Sequence, residues 1–416
     1  MLSLYIHIPF CAQKCAYCSF SCFFVNAEIK ESLIGQYLQT LEQEIRHYGA
    51  IMGRQKIKSI YFGGGTPNIL TPEQLFSITD VIDELFDTSD VVELSIELNP
   101  YPQTETYDLI TQFHTHYKKH PRLRFSFGIQ TLDNVILEDV GRPVSFAGLA
   151  DFIRGLRALK QENTLFNFDF IAFGKFNQTR KGDLQLRDPL KLEFFEQFAQ
   201  SQFADSFSLY TMELFAGSAW QSKTPEKPIS GAYYGTDDEI YEEFDILKGI
   251  ILDAGYSRYE LSNFSRQGKS SIHNRVYREM ENYIGFGMSG SSFINLKEQE
   301  DRAQTLPGYT KDSVGLRWTN TTNLVEYLKG NFIDTNKTLS MTSKDMLIES
   351  FFLNLRTDKG VVALEKYIPV LVPDRKERIE SYKDQGFAYD TEDRLVLTDE
   401  GMDVFNTITT DLLNEI

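Results

Sequence analysis

Cysteine is absent from this 416-residue chain except in one stretch of twelve residues, which holds Cys11, Cys15, Cys18 and Cys22. That excludes a disulfide framework distributed over the fold. No run of about 18 apolar residues occurs, so no spanning helix is expected. Met1–Ile6 is apolar but short, and it lacks a basic start and a cleavage site, so it reads as a buried strand rather than a secretory signal. Positive charge is also scarce. Lys and Arg number 42 against 59 Asp and Glu, for a net charge of −17. Such a balance argues against general nucleic-acid binding and against an anionic membrane surface. No internal repeat of solenoid period is found. What remains, 42% hydrophobic and 24% charged residues, is the composition of a soluble globular protein. Its length exceeds what one core usually fills, so a large domain and a smaller one are expected.

The first three cysteines form C-x-x-x-C-x-x-C. Three thiolates on one short loop can hold three irons of a [4Fe–4S] cube and leave the fourth open to a small-molecule ligand. A zinc loop and inert thiols are the alternatives. Structural zinc wants four ligands, usually in two separated pairs, and here the fourth could come only from Cys22 or His7, at neither's usual spacing. Cys22 itself reads as a small residue, with a spare ligand or reactive thiol as the other options. An iron–sulfur site favours a reducing cytoplasm.

About 215 residues from the N-terminus alternate short apolar runs with amphipathic helices, the pattern of βα repeats and a parallel sheet. Candidate strands are Leu2–Ile8, Ser59–Phe62, Val92–Glu97, Leu123–Phe127, Phe166–Ala172 and Ser206–Tyr210. A helix is expected from about Gly35 to Tyr48, ending at Gly49. Another is expected to begin at Thr71-Pro72, with Gln74 completing a capping box. Functional residues then belong just beyond the C-terminal strand ends. The cysteine loop, Gly63-Gly64-Gly65-Thr66-Pro67, Glu97 with Asn99, Gln130, Asp169 and Tyr210 all fall there. The glycine run offers close backbone approach and free N–H groups to a ligand, though triple glycines also mark simple turns. Glu97 reads either as a salt-bridged residue or as a ligand contact. His114, His116 and His120 read as a solvated helix end rather than a metal site, and His273 as a surface histidine. From about Thr236 the pattern becomes helical, Leu296–Gly315 reads as a polar loop, and Thr335–Ile416 reads as a small helix-rich domain of winged-helix type.

Several of these segments resemble one family. Tyr5-x-His7-Ile8-Pro9-Phe10-Cys11, the Gly-Gly-Gly-Thr-Pro run, Glu97-Leu-Asn99-Pro100, Arg124-x-Ser126-x-Gly128-x-Gln130, Gly141-Arg142 and Asp169–Gly174 resemble its signatures. So do Ser208-Leu-Tyr210, Tyr259-Glu-x-Ser-Asn263 and Gly285-Phe-Gly287. The chain thus resembles radical S-adenosylmethionine (SAM) proteins of the oxygen-independent coproporphyrinogen III oxidase group, and within it the haem-chaperone branch of HemW type. The resemblance implies an α/β fold. It would be a partial (β/α)6 barrel over residues 1–235, which with the residue patterns above leaves a helical extension over 236–334 and a winged-helix-like domain over 335–416. It implies Cys11, Cys15 and Cys18 on the cluster, with SAM on the fourth iron, cleaved to a carbon radical by an electron from the cluster. Tyr5, Tyr17, Gly64, Gly65, Thr66, Glu97, Gln130, Arg142 and Asp169 fall where the family contacts its cofactor.

Phe20 stands where the oxidases carry a further cysteine, as in the haem-chaperone branch. That branch's His-Asn-x-x-Tyr-Trp motif reads His273-Asn274-Arg275-Val276-Tyr277-Arg278 here, which makes His273 the candidate haem ligand. Gly174-Lys175-Phe176 replaces the usual Gly-Leu-Pro, and Met288 and Ser291 replace a proline and a histidine. The implied function is a cytoplasmic haem chaperone that carries a [4Fe–4S] cluster and SAM and passes haem to an acceptor protein. The alternative is a radical SAM enzyme acting on a tetrapyrrole, by coproporphyrinogen decarboxylation or haem modification. The partners implied are haem or another tetrapyrrole and the acceptor, with a dimer left open; nucleic acid and an integral membrane segment are not among them.

Overall fold

Leu2–Ile8 (β1) alternates its side chains. Leu2, Leu4, Ile6 and Ile8 are buried in the main apolar core, while Ser3, Tyr5 and His7 take the opposite face. The computed structural model describes residues 1–25, 27–117, 122–174, 176–178, 184–186, 189–215, 218–220, 235–298, 302 and 304–414. His120 and Lys175 lie outside them. Ile57–Gly64 (β2), Glu93–Leu98 (β3), Arg122–Gln130 (β4), Thr164–Ala172 (β5) and Ser206–Thr211 (β6) follow β1 side by side, each parallel to the last. Ala27–Met52 (α1), Pro72–Leu85 (α2), Gln103–His116 (α3), Phe146–Leu156 (α4) and Pro189–Gln200 (α5) supply the crossovers. This is the βα order expected from the sequence.

The capping box at Thr71 and Gln74 is present. The end of α1 is not where Gly49 suggested. The helix runs on to Met52, and at Gly49 a Cβ would meet the Leu85 side chain at 3.0 Å, so this glycine permits close packing of α1 on α2 instead of stopping the helix.

The helical expectation for residues 236–334 is corrected. Asp237–Asp253 (α6) is a helix, but Ser257–Glu260 (β7) and Asn263–Ser265 (β8) extend the sheet beyond β6. After a short helix, Ile272–Arg278 (α7), come Tyr283–Phe286 (β9), Ser291–Asn295 (β10), Gly315–Asn320 (β11) and Ile333–Met341 (β12). They extend the other edge, with β9 parallel to β1 and the rest antiparallel. All but the nine-residue β12 run only three to six residues, and periodicity over so few residues does not separate strand from helix. The β12 strand also runs through residue 335, where the sequence placed a domain start.

Ser343–Leu355 (α8), Val361–Val362 (β13), Arg375–Asp384 (α9), Ala388–Thr391 (β14), Arg394–Leu397 (β15) and Phe405–Leu412 (α10) surround a second apolar cluster that includes Phe351, Leu355, Leu395 and Phe405. Their three strands form a separate antiparallel sheet in the order β13-β15-β14. The expected solvated helix end at His114 is also corrected. His114 is buried, its Nε2 lies 2.8 Å from Thr164 Oγ1, and His116 stacks on Phe76 at 4.0 Å.

One buried carboxylate ties α1 to the added strands. Glu44 accepts from the Gly287 amide (2.8 Å), the Tyr327 hydroxyl (2.6 Å) and Asn320 Nδ2 (2.5 Å). Two turns earlier on α1, Tyr37 donates to the His7 carbonyl (2.7 Å) and accepts from the Met288 amide (3.1 Å). Burial pushes the Glu44 carboxyl up to about 7, against the three hydrogen bonds that favour its charged form. A carboxyl raised on folding adds stability while protonated and loses it as pH climbs through that value. Between about pH 5 and pH 8 the midpoint of thermal unfolding should therefore fall, and Glu44→Ala should flatten that slope while costing about 3 kcal/mol at neutral pH. Calorimetry of both proteins across the range checks this.

Candidate functional site

The polar face of the parallel sheet carries the residues that the sequence analysis singled out. Tyr5 on β1 stacks on Tyr61 of β2 at 5.9 Å, and its hydroxyl lies 3.0 Å from His7 Nδ1. Tyr61 donates to Glu97 Oε1 on β3 (2.7 Å), and the Gly64 amide donates to Glu97 Oε2 (3.1 Å). Burial pushes the Glu97 carboxyl up, with Tyr61 opposing it. Asp169 on β5 accepts from Ser126 (3.0 Å) and Asn167 (2.7 Å), and burial raises it as well. Gln130 ends β4 with φ of 70°, a left-handed turn that folds its side-chain amide back over Gly128.

The glycine run packs directly under the cysteine loop. Gly64 has φ of 107°, and a Cβ there would lie 2.5 Å from the His7 ring. No larger residue fits between that histidine and the turn. The amides of Gly65 and Thr66 donate to the carbonyls of Ile8 and Phe10 (2.8 Å each), which fixes where the loop begins. Phe10–Cys11 and Phe23–Phe24 pair in parallel and close the loop at its base.

Within the loop, Thr66 Oγ1 donates to Cys11 Sγ at 3.4 Å, and Arg142 Nη1 donates to Cys15 Sγ at 3.6 Å. Arg142 also donates to Asn99 Oδ1 (3.4 Å) and to the Gly128 carbonyl, and Asn99 Nδ2 donates to Thr66 (3.2 Å). Charge-assisted donors on thiolate sulfur suit anionic ligands. Tyr17 packs edge-on against Phe173 at 6.0 Å and Trp220 at 6.4 Å, behind Cys15. Cys22 hydrogen-bonds with both Cys11 and Cys18, so it sits among the motif thiols; this holds Cys11 down and pushes Cys18 up. Among the described residues no three His, Cys, Asp or Glu side chains converge on a point fit for one ion. A cube needs no such convergence, because each thiolate takes its own iron.

A cavity of about 530 Å³ opens beside this cluster of residues. Tyr5, His7, Gly64 and Glu97 line one end, Ser19–Ser21 of the cysteine loop lies along it, and Tyr277, Arg278, Arg317 and Glu349 line the far wall. His273 is not among the lining residues, which corrects the expectation of a surface histidine. It is fully buried, with Nδ1 2.8 Å from Ser59 Oγ, Nε2 2.8 Å from the Tyr277 hydroxyl, and its ring 5.1 Å from that of Tyr61. Burial pushes its pKa down to about 3, so the ring is neutral.

No pattern in the sequence signalled what puts it there. Glu93 accepts from the amides of Ile272 (3.0 Å) and His273 (3.2 Å) and from Ser271 Oγ (3.2 Å), which pins the start of α7 to the polar face of the sheet. Nor did it signal the reach of Arg142 to Cys15. Tyr210 is partly exposed at its strand end, but its phenol faces the site, where burial and the carboxylates of Asp169, Glu260 and Glu97 push it up.

Residues 5–177 match the Radical SAM superfamily model. Over all of both chains the protein is 28% identical to "Heme chaperone HemW" of Bacillus subtilis (strain 168). It is 25% identical to that of Lactococcus lactis subsp. lactis (strain IL1403), over 98% of this chain and 96% of the relative. With that of Escherichia coli (strain K12) it shares 26% identity over 85% and 82%. Among solved structures, coproporphyrinogen III oxidase (HemN) from Escherichia coli, a radical SAM enzyme, superposes with a TM-score of 0.72 at 19% identity, covering 99% of this chain and 89% of that one. The mixed α/β sheet has the fold of that enzyme.

Residues 5–177 therefore carry a radical SAM domain, a class that implies a [4Fe–4S] cluster and SAM. Within it, the relatives that match this chain end to end are the HemW haem chaperones. No described helix is long and apolar enough to cross a membrane.

Anaerobically reconstituted protein should show the broad visible charge-transfer band of a cluster. Cys15→Ala should abolish it, while Arg142→Ala should leave a cluster that loses iron faster in air. Absorbance and iron content read both.

Proposed function

We propose that the protein is a haem chaperone built on a radical SAM domain, holding its cluster through Cys11, Cys15 and Cys18 and delivering haem to an acceptor protein in the cytoplasm. The observation that carries this is the end-to-end similarity to haem chaperones, together with a cavity beside the cysteine loop that suits a flat, dianionic ligand. Its wall offers the aromatic faces of Tyr5, Tyr277 and Tyr283 and the guanidinium groups of Arg278 and Arg317, which suit porphyrin propionates. Arg278 stands where the family has tryptophan. It pairs with Glu260 at 2.5 Å, and Arg317 pairs with Glu349 at 2.5 Å, so each cation already has a partner that an entering carboxylate would share.

The residues of the chain have separable tasks. Gly64 and Gly65 let the methionine end of SAM approach the backbone closely and Thr66 borders it, while their amides stay bonded to the Glu97 carboxylate and the Ile8 and Phe10 carbonyls. Glu97, Gln130, Arg142 and Asp169 surround its remaining polar groups, and Tyr5 and Tyr17 wall the site. Bound cluster and SAM supply one-electron chemistry, which in a chaperone serves assembly or regulation rather than turnover. The second reading, a tetrapyrrole-modifying enzyme, draws on the same polar rim and on the shared fold.

Titration with haemin should give a saturable Soret band, and haem should then pass to an apo-acceptor. Arg278→Ala with Arg317→Ala should weaken haemin binding at least about tenfold, a loss of about 1.4 kcal/mol. Absence of a Soret change in the unaltered protein contradicts the chaperone role. Anaerobic conversion of coproporphyrinogen III by the reduced protein would establish the enzyme instead; no conversion is expected.

A further inference from the structure

We infer that Tyr277, not His273, is the side chain that binds haem iron, with His273 as its hydrogen-bond partner. The inference rests on the haem-binding function proposed above and names the ligand within that same site.

Positions 273 and 277 are one turn apart on α7, which brings the two side chains together. Of the pair, only Tyr277 borders the cavity. His273 lies beneath it with both ring nitrogens engaged and no exposed surface. Turning the ring out would break the bonds to Ser59 and Tyr277, vacate a packed space against Tyr61, and work against an α7 start held by Glu93. His7 also lines the cavity, but at the cofactor end, with Nδ1 beside the Tyr5 hydroxyl and its ring against Gly64.

The hydrogen-bond directions suit a phenolate ligand. Ser59 Oγ donates to Ser3 Oγ at 2.9 Å. Its remaining role toward His273 is to accept, so Nδ1 carries the ring proton and Nε2 is left as the acceptor for the Tyr277 hydroxyl. The phenol therefore points its proton at a free lone pair. Burial and the nearby Tyr5, Tyr283 and Glu97 keep that phenol protonated in the absence of a metal, with Arg278 the opposing charge.

Phenolate is an established haem ligand. On binding ferric haem the O–H bond of Tyr277 breaks, an iron–oxygen bond forms, and the proton leaves to solvent through the open cavity. No electron moves. His273 stays neutral; its single ring proton shifts to Nε2, which donates to the phenolate, and Nδ1 accepts from the Ser59 hydroxyl. Reduction of the iron by an external one-electron donor removes the charge that favours an anionic oxygen ligand. The proton returns to Tyr277, and the haem is free to leave.

The test uses the full chain titrated with haemin, read by visible absorption, resonance Raman and electron paramagnetic resonance. Unaltered protein should give a high-spin ferric spectrum with a phenolate-to-iron charge-transfer band, lost on dithionite reduction. Tyr277→Phe should lose that band and bind haemin at least about tenfold more weakly, Tyr277→His should convert the spectrum to imidazole ligation, and His273→Gln should keep phenolate ligation with a shifted band. Circular dichroism and cluster content verify that each variant is folded, and the spectrum of the unaltered protein decides the question without any variant. A histidine-ligated spectrum in the unaltered protein, or a Tyr277→Phe spectrum identical to it, overturns the assignment and leaves the haem-binding function standing. If the unaltered protein binds no haemin, the assignment and the haem-binding function fall together.

Discussion

The register of the first strand, clamped between β2 and β9, is the constraint on which the rest depends. Tyr5 lies opposite Tyr61 on one side and Gly285 on the other, and His7 lies opposite Gly63. A slip of one residue would turn Tyr5 and His7 into the apolar helix layer and send Leu4 and Ile6 into the polar interior. The cysteine loop starts three residues after β1 ends, so the same register sets where the thiols emerge over Gly64–Thr66. The Tyr37 bond to the His7 carbonyl and the Glu44 bond to the Gly287 amide hold that register from the helix side.

Burial does two opposite things in this protein. It pushes the carboxyls of Glu97 and Asp169 up, a cost of ionisation that a cationic cofactor group would relieve. It also keeps His273 uncharged, so that the ring acts as a hydrogen-bonding partner and not as a cation. The two effects sit on one polar face, within a few residues of the thiols, and make the mouth of the sheet responsive to charge entering it. The arginines of the cavity wall, each already shared with a glutamate, extend that logic to an anionic ligand.

Much of the site was legible because parallel strands leave their chemistry at one end. Cys11, Thr66, Glu97 and Gln130 are readable as soon as the strand ends are placed, and short continuous apolar runs place them well. What was not legible depends on contacts distant in sequence. Glu93 catches the start of α7 about 180 residues later, and nothing around His273 announces that it will be buried rather than exposed. The added strands were missed for a related reason. They are completed by pairing with β1 and β6, and a four-residue segment such as Tyr283–Phe286 carries no period of its own. Gly49 misled because the same residue type ends helices and lets them pack closely.

The central claim is that three thiols on one loop anchor a cube of iron and sulfide. Metal and acid-labile sulfide analysis of anaerobically purified protein tests it most directly. Iron and sulfide in equal amounts, lost together when the three motif cysteines are replaced, is the predicted result. Stoichiometric zinc without sulfide would contradict it.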